Sequence, residues 1–207
     1  MSPLRFLGLV LAALFGAILL LVLAFNTYGR EASWDAVFGS PDLGPYDFSV
    51  PSRTGKLNDS LACPADDCLK GIPDIETRRY DLPPAALFAV TEKVVRRLPG
   101  KVRVVGANPV NTRLRAIVFS PALRMPSTLS LMITPARGGG SFLYIYSRSQ
   151  IGYYDLGRNT ANVVALIAAI DAQLAATTPL AHAQPDQIGP AKPAPAKPAP
   201  AKPAPSK

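Results

Sequence analysis

A chain of 207 residues, 48% hydrophobic and carrying a net charge of +8, has length for one globular domain plus appendages. With one histidine and two cysteines it cannot assemble a four-ligand zinc site of those residues within one domain. The basic balance does not point to nucleic acid: no recognisable nucleic-acid module accompanies it, and Lys192, Lys197, Lys202 and Lys207 sit in a C-terminal tail.

From Phe6 to Phe25 the chain has no charge, no amide and no proline. A helix of about 20 such residues is about 30 Å long, the thickness of a bilayer's hydrocarbon core. Residues 1–27 are therefore expected to be an N-terminal transmembrane helix in contact with membrane lipid. A cleaved signal peptide is the competing reading, with Arg5 as its basic start and Val22-Leu23-Ala24 as its cleavage site. The apolar run outlasts a usual signal core and continues through Phe25, so the uncleaved anchor is preferred. Arg5 precedes the span, whereas Arg30 is followed by Glu31 and Asp35, which places the N-terminus inside. The expected location is the bacterial inner membrane, single-pass, with a periplasmic domain.

Residues 28–57 read as a stem. They are rich in Gly, Pro, Ser and Asp, with scattered Trp34, Phe38, Tyr46 and Phe48, which predicts partial packing without regular structure. Cys63 and Cys68 are the only thiols, so export predicts a local disulfide, worth about 2 kcal/mol for so short a loop. A metal pair lacks partners, and the spacing is not that of a Cys-x-x-Cys redox motif. Gly71-Ile72-Pro73-Asp74 reads as a turn.

Asp81 before Pro83 and Pro84 suits the start of a helix. Leu87, Val90, Val94 and Leu98 then recur at helical spacing, with Glu92 and Arg96 paired outside, until Pro99-Gly100 stops it. Strand-like runs follow over 101–107, 112–119, 128–134 and 141–147. In the second, Leu114, Ala116 and Val118 alternate with Arg113 and Arg115. Links this short exclude parallel crossovers. A last helix starts near Asn159 or Thr160, shows Val163, Ile167, Ile170 and Leu174 on one stripe, and ends at Thr177-Thr178-Pro179. The expected fold is α+β: a four-stranded antiparallel sheet with two helices packed on one face, in a domain spanning 58–178. Residues 179–207 are expected to be disordered: Ala191-Lys192-Pro193-Ala194-Pro195 recurs twice more, which favours extended polyproline II.

Two stretches carry a family signature. Asn58-Asp59-Ser60-Leu61-Ala62-Cys63-Pro64 with Cys68, and Ser147-Arg148-Ser149 with Gly152, Asp155-Leu156-Gly157 and Asn159, resemble the DUF1499 family. These are small, often membrane-anchored proteins without an assigned biochemical activity. The resemblance covers about residues 58–175. The chain departs from the family pattern at Gln150, where a second basic residue is usual, and at Met125-Pro126-Ser127, where Phe-Pro-Asp is favoured.

The segment from Ser147 to Asn159 admits two readings. As a clasp, Arg148 would pair with Asp155, Gly152 and Gly157 would supply positive φ, and Asn159 would cap the helix. As an anion site, Ser147, Arg148, Ser149 and Arg158 would converge at the helix N-terminus. The clasp is preferred. No catalytic residue, cofactor or metal is assigned, because His182, the only histidine, lies in the tail linker and no Ser-His-Asp triad can form. The expected function is a non-catalytic binding or scaffolding module of the cell envelope, its Lys/Pro tail reaching an anionic envelope component. The alternative is an envelope enzyme acting on an anionic or ester substrate through Ser147, Arg148 and Asp155.

Overall fold

A computed structural model describes residues 2–65, 67–68 and 72–181. Helix α1 (Pro3–Tyr28) has a mean hydropathy of 3.0 and buries none of its residues. By length and composition this helix is apolar enough to cross a membrane. Among the described residues only one other stretch, Arg158–Thr177, is long and apolar enough to span a membrane. That stretch lies on the sheet with Val163, Leu166 and Ile170 fully buried, as a core helix does.

Helix α2 (Arg30–Phe38) corrects the expectation of an irregular stem. Averaged over the region, Gly and Pro conceal a short run of helix-tolerant residues bounded by Gly29 and Gly39. Gly29, at φ 97°, turns the chain back so that Trp34 meets Phe25 edge-on, ring centroids 5.3 Å apart. Only that one residue separates the two helices.

The remaining elements are β1 (Asp59–Cys63), β2 (Ile75–Glu76), α3 (Pro84–Val95), β3 (Lys101–Asn108), β4 (Arg113–Phe119), β5 (Pro126–Pro135), β6 (Ser141–Ser149) and α4 (Arg158–Ala181). The fold is α+β, but the sheet has six strands rather than four, in the order β2-β1-β6-β5-β4-β3. The run from β3 to β6 is an antiparallel meander. β1 joins it antiparallel to β6, pairing Asp59 with Arg148 and Leu61 with Tyr146. β2 lies parallel to β1, so the sheet is not wholly antiparallel. β1 is buried along its whole length and shows no alternation to read, and β2 is two residues long. A disulfide joins Cys63 to Cys68 just beyond β1.

Both sheet faces are covered. On one, α3 and α4 bury Leu87, Val95, Val163 and Leu166 against Ala116, Leu131, Leu143 and Ile145. On the other, Tyr46 and Phe48 pack over Leu61, Tyr144 and Tyr146. Glu92 and Arg96 pair at 2.7 Å on the outer side of α3. Asp81 does not cap α3; it pairs with Arg79 at 3.1 Å. α4 continues to Ala181 past the expected stop, since a lone proline removes one backbone bond without ending a helix outright. His182 and the Lys/Pro repeats lie outside the described residues.

Candidate functional site

β6 runs to Ser149, two residues beyond the 141–147 run, because β1 pairs with its end. Arg148 is thus a strand residue, and strand side chains alternate between faces. Ser147 and Ser149 point toward α4, whereas Arg148 points to the opposite face with Tyr144 and Tyr146. The expected set Ser147, Arg148, Ser149 and Arg158 therefore does not converge. Arg148 and Asp155 do not pair either.

On the helix face the polar residues form a closed hub around Asn159, which is fully buried. Its Nδ2 shares its two hydrogens among the Asn58 carbonyl at 2.7 Å, Ser149 Oγ at 2.9 Å and Asp155 Oδ2 at 2.5 Å. Its Oδ1 accepts from Ser147 Oγ at 2.6 Å. Asp155 accepts from the backbone N–H groups of Gly157 and Asn159, at 2.9 and 2.8 Å, which satisfies the start of α4. Gly152, at φ 90°, presents its carbonyl to Asn58 Nδ2 at 2.6 Å. Arg158 donates through Nη2 to Ser127 Oγ and Ser149 Oγ at 3.1 and 3.0 Å. Burial lowers the Arg158 pKa, and the charge of Asp155 opposes that shift. Asn159 is a hub rather than a cap, and its bonds join β1, β6 and α4 in one cluster.

The stem face is built differently. Thr128 Oγ1 donates to the Pro41 carbonyl at 2.7 Å and accepts from Leu43 N–H at 3.2 Å. Arg115 pairs with Asp42 at 2.7 Å. Burial raises the Asp42 pKa, but hydrogen bonds from Arg115 and the Gly44 N–H outweigh it, leaving the carboxyl below its ordinary value. Gln150 Nε2 faces the carbonyls of Phe38, Gly39 and Ser40 at 3.1, 3.1 and 2.9 Å. These contacts strap residues 38–48 across the sheet. Tyr46 then stacks on Tyr146 at 3.8 Å, and burial pushes its phenol up to about 12.

Between strap and sheet lies a cleft of about 240 Å³ that contains Arg148, Tyr46, Tyr146, Thr128, Ser130 and Ser52. At its back is a saturated ion cluster. Tyr146 Oη donates to Asp59 Oδ2 at 2.8 Å, and Arg53 Nη2 pairs with Asp59 at 2.8 Å and Asp74 at 3.0 Å. Burial raises the Asp59 pKa, but the Arg53 and Tyr146 bonds prevail and hold it below the ordinary carboxylate value. Arg148 is half-buried and has no hydrogen bond or ion pair among the described residues. A second recess of about 270 Å³ shares Tyr46 and Ser130 and is edged by Arg113 and Arg115. A larger, apolar recess of about 470 Å³ lies between α3 and α4, beside Tyr80, Val90 and Leu174, and holds none of the expected site residues.

The hub lies wholly within residues 49–170, which match the family model described as a protein of unknown function (DUF1499). The chain belongs to the DUF1499 family. The DUF1499 match takes in Arg148, Tyr146 and Ser130 but stops short of Leu43–Asp47, the outer wall of the cleft. No curated protein matches the chain. Among solved structures the chain is similar to the crystal structure of Ara h 8.0201, at 13% identity and a TM-score of 0.35, over 48% of this chain and 94% of that one. A likeness of that size supports no functional argument.

Chemically, the two faces of the DUF1499 domain offer different things. The hub's bonds are internal, and Ser147 is 1% exposed, so no substrate reaches its hydroxyl. The enzyme reading required Ser147, Arg148 and Asp155 to meet, and they lie on opposite faces of the sheet. No cluster of His, Cys, Asp and Glu among the described residues is suited to a metal. Residue order missed Tyr46, Thr128 and Ser130 as neighbours of Arg148. Counting outward alternation along β5 and β6 would have found Thr128, Ser130 and Tyr146.

Proposed function

We propose that this chain is a membrane-anchored, non-catalytic binding module of the bacterial cell envelope that holds an anionic group in the Arg148 cleft. One observation supports this most directly: a half-buried guanidinium without a partner among the described residues, facing hydroxyls and a stacked tyrosine pair. A desolvated cation gains most from a charge-assisted bond to carboxylate or phosphate. A cleft of about 240 Å³ suits a single headgroup-sized anion rather than a polymer chain. The apolar α1 and the Cys63–Cys68 bridge suit an inner-membrane protein whose domain faces the oxidising periplasm. In this reading the Lys/Pro repeats give a second contact with anionic envelope material.

The test is a titration of the full chain with inorganic phosphate and with soluble wall fragments at low salt, following arginine Nε–H resonances. The Arg148 resonance should shift and saturate, and Arg148→Gln should abolish binding while Arg113→Gln leaves it within twofold. A flat Arg148 resonance with both ligands overturns the proposal.

A further inference from the structure

α1 and α2 fix which end of the domain faces the bilayer. Trp34 packs against Phe25, the last residue of the apolar run. It therefore sits at the level where α1 leaves the hydrocarbon, the depth at which tryptophan is enriched in membrane proteins. Ser33 reinforces the fold-back, its N–H and Oγ both donating to the Gly29 carbonyl at 2.9 Å. α2, about 14 Å long at 1.5 Å per residue, is then an interfacial bracket.

That bracket holds two loops of the domain. Near its start, the Arg30 guanidinium donates to the Ala122 carbonyl and Trp34 Nε1 to the Leu123 carbonyl, the latter at 2.7 Å. At its end, Gln150 Nε2 faces the Phe38 carbonyl. The β4–β5 and β6–α4 loops are thus tied to opposite ends of one helix. The same two loops expose Leu123, Tyr153, Tyr154 and Leu156, at 55%, 63%, 60% and 84%. Leu156 and Arg124 hold left-handed backbones, at φ 59° and 55°, an uncommon state outside glycine. A large apolar side chain held outward in a strained turn suits a surface that is not bathed in water.

We infer that this end of the sheet is a docking rim for the bilayer that α1 spans. Tyr153, Tyr154, Leu156 and Leu123 enter the headgroup layer, and Arg124 beside them meets anionic lipid. The occupant is lipid because the rim is continuous with the anchor: α2, one residue beyond α1, is hydrogen-bonded to both loops. The inference rests on α1 spanning a bilayer and is independent of the Arg148 cleft.

The test uses the unmodified full chain in nanodiscs of phosphatidylethanolamine and phosphatidylglycerol that contain a headgroup-spin-labelled lipid. Paramagnetic broadening of the Tyr153, Tyr154 and Leu156 resonances should exceed that of Val110, 89% exposed in the β3–β4 turn, by at least fivefold. Equal broadening at all four positions in an incorporated chain overturns the rim. A chain that does not enter nanodiscs overturns the anchor, and the rim with it.

Discussion

The two faces of the sheet handle polar side chains in opposite ways. Under α4, Asn58, Ser147, Ser149, Asp155 and Asn159 are buried or half-buried, and they satisfy one another. Under the strap, Arg148 is left without a hydrogen bond or ion pair among the described residues while Asp59 is paired with Arg53 and Arg115 with Asp42. A closed network fixes geometry and has little left for a ligand; an open one keeps binding capacity at some cost in stability. The contrast puts the internally bonded network on the helix face, and the anion binding we propose would belong to the stem face.

Substitutions should break that contrast in order of size. Asn159→Leu is expected to cost about 4 kcal/mol and about 15 °C in Tm, since it orphans Ser147 Oγ in the core and removes the amide donor to Ser149 Oγ and to the Asn58 carbonyl, which keeps only the Ser149 N–H. A loss under 1 kcal/mol in a denaturant titration would mean that the hub is not structural. Asp59→Asn should cost about 2 kcal/mol at neutral pH by removing the buried carboxylate that pairs with half-buried Arg53, which keeps Asp74 as a partner. Because the folded pKa of Asp59 lies below its unfolded value, its contribution is present above about pH 4 and lost as pH falls through the folded value. The stability gap between wild type and Asp59→Asn should therefore close in acid, and a gap constant from pH 7 to pH 2 would contradict the assignment.

Asp155 offers a finer cut. As a cap it should lose about 1 kcal/mol on change to Ala and only a few tenths on change to Asn, which retains an acceptor. Equal losses in thermal melts would restore an ion-pair role. Smallest of all, Arg148→Gln should leave Tm within about 2 °C, because no internal bond is lost. A clear drop in Tm would move Arg148 from recognition to structure.

Much of the architecture could be read from residue order, and the failures have physical causes. α1 declared itself by an unbroken apolar run, and α3, α4 and the meander did so because each keeps one period over its length. β1 hid because strap and helices cover both its faces, leaving an unbroken buried run where alternation was sought. Missing β1 shortened β6, and a shortened β6 made Arg148 look like a loop residue free to reach Asp155. The site error followed from that fold error. Ser127 and Gln150, where this chain departs from the family pattern, are both employed: one accepts from Arg158 and the other holds the strap. Partners as distant in sequence as Phe38 and Gln150 leave no mark in local composition.

Gly29 has a consequence for how this protein meets anything else. A flexible ten-residue linker would let a domain sweep about 17 Å from its attachment. One glycine between two helices gives no such sweep. With α1 in a bilayer, as we propose, the domain would travel with the end of α1 and explore a thin layer in two dimensions. Encounter rates should then follow lateral diffusion and the surface density of the partner. In that arrangement a ligand that stays in bulk solution would be met only when it comes to the surface, whereas one carried by the membrane would always lie within the same plane.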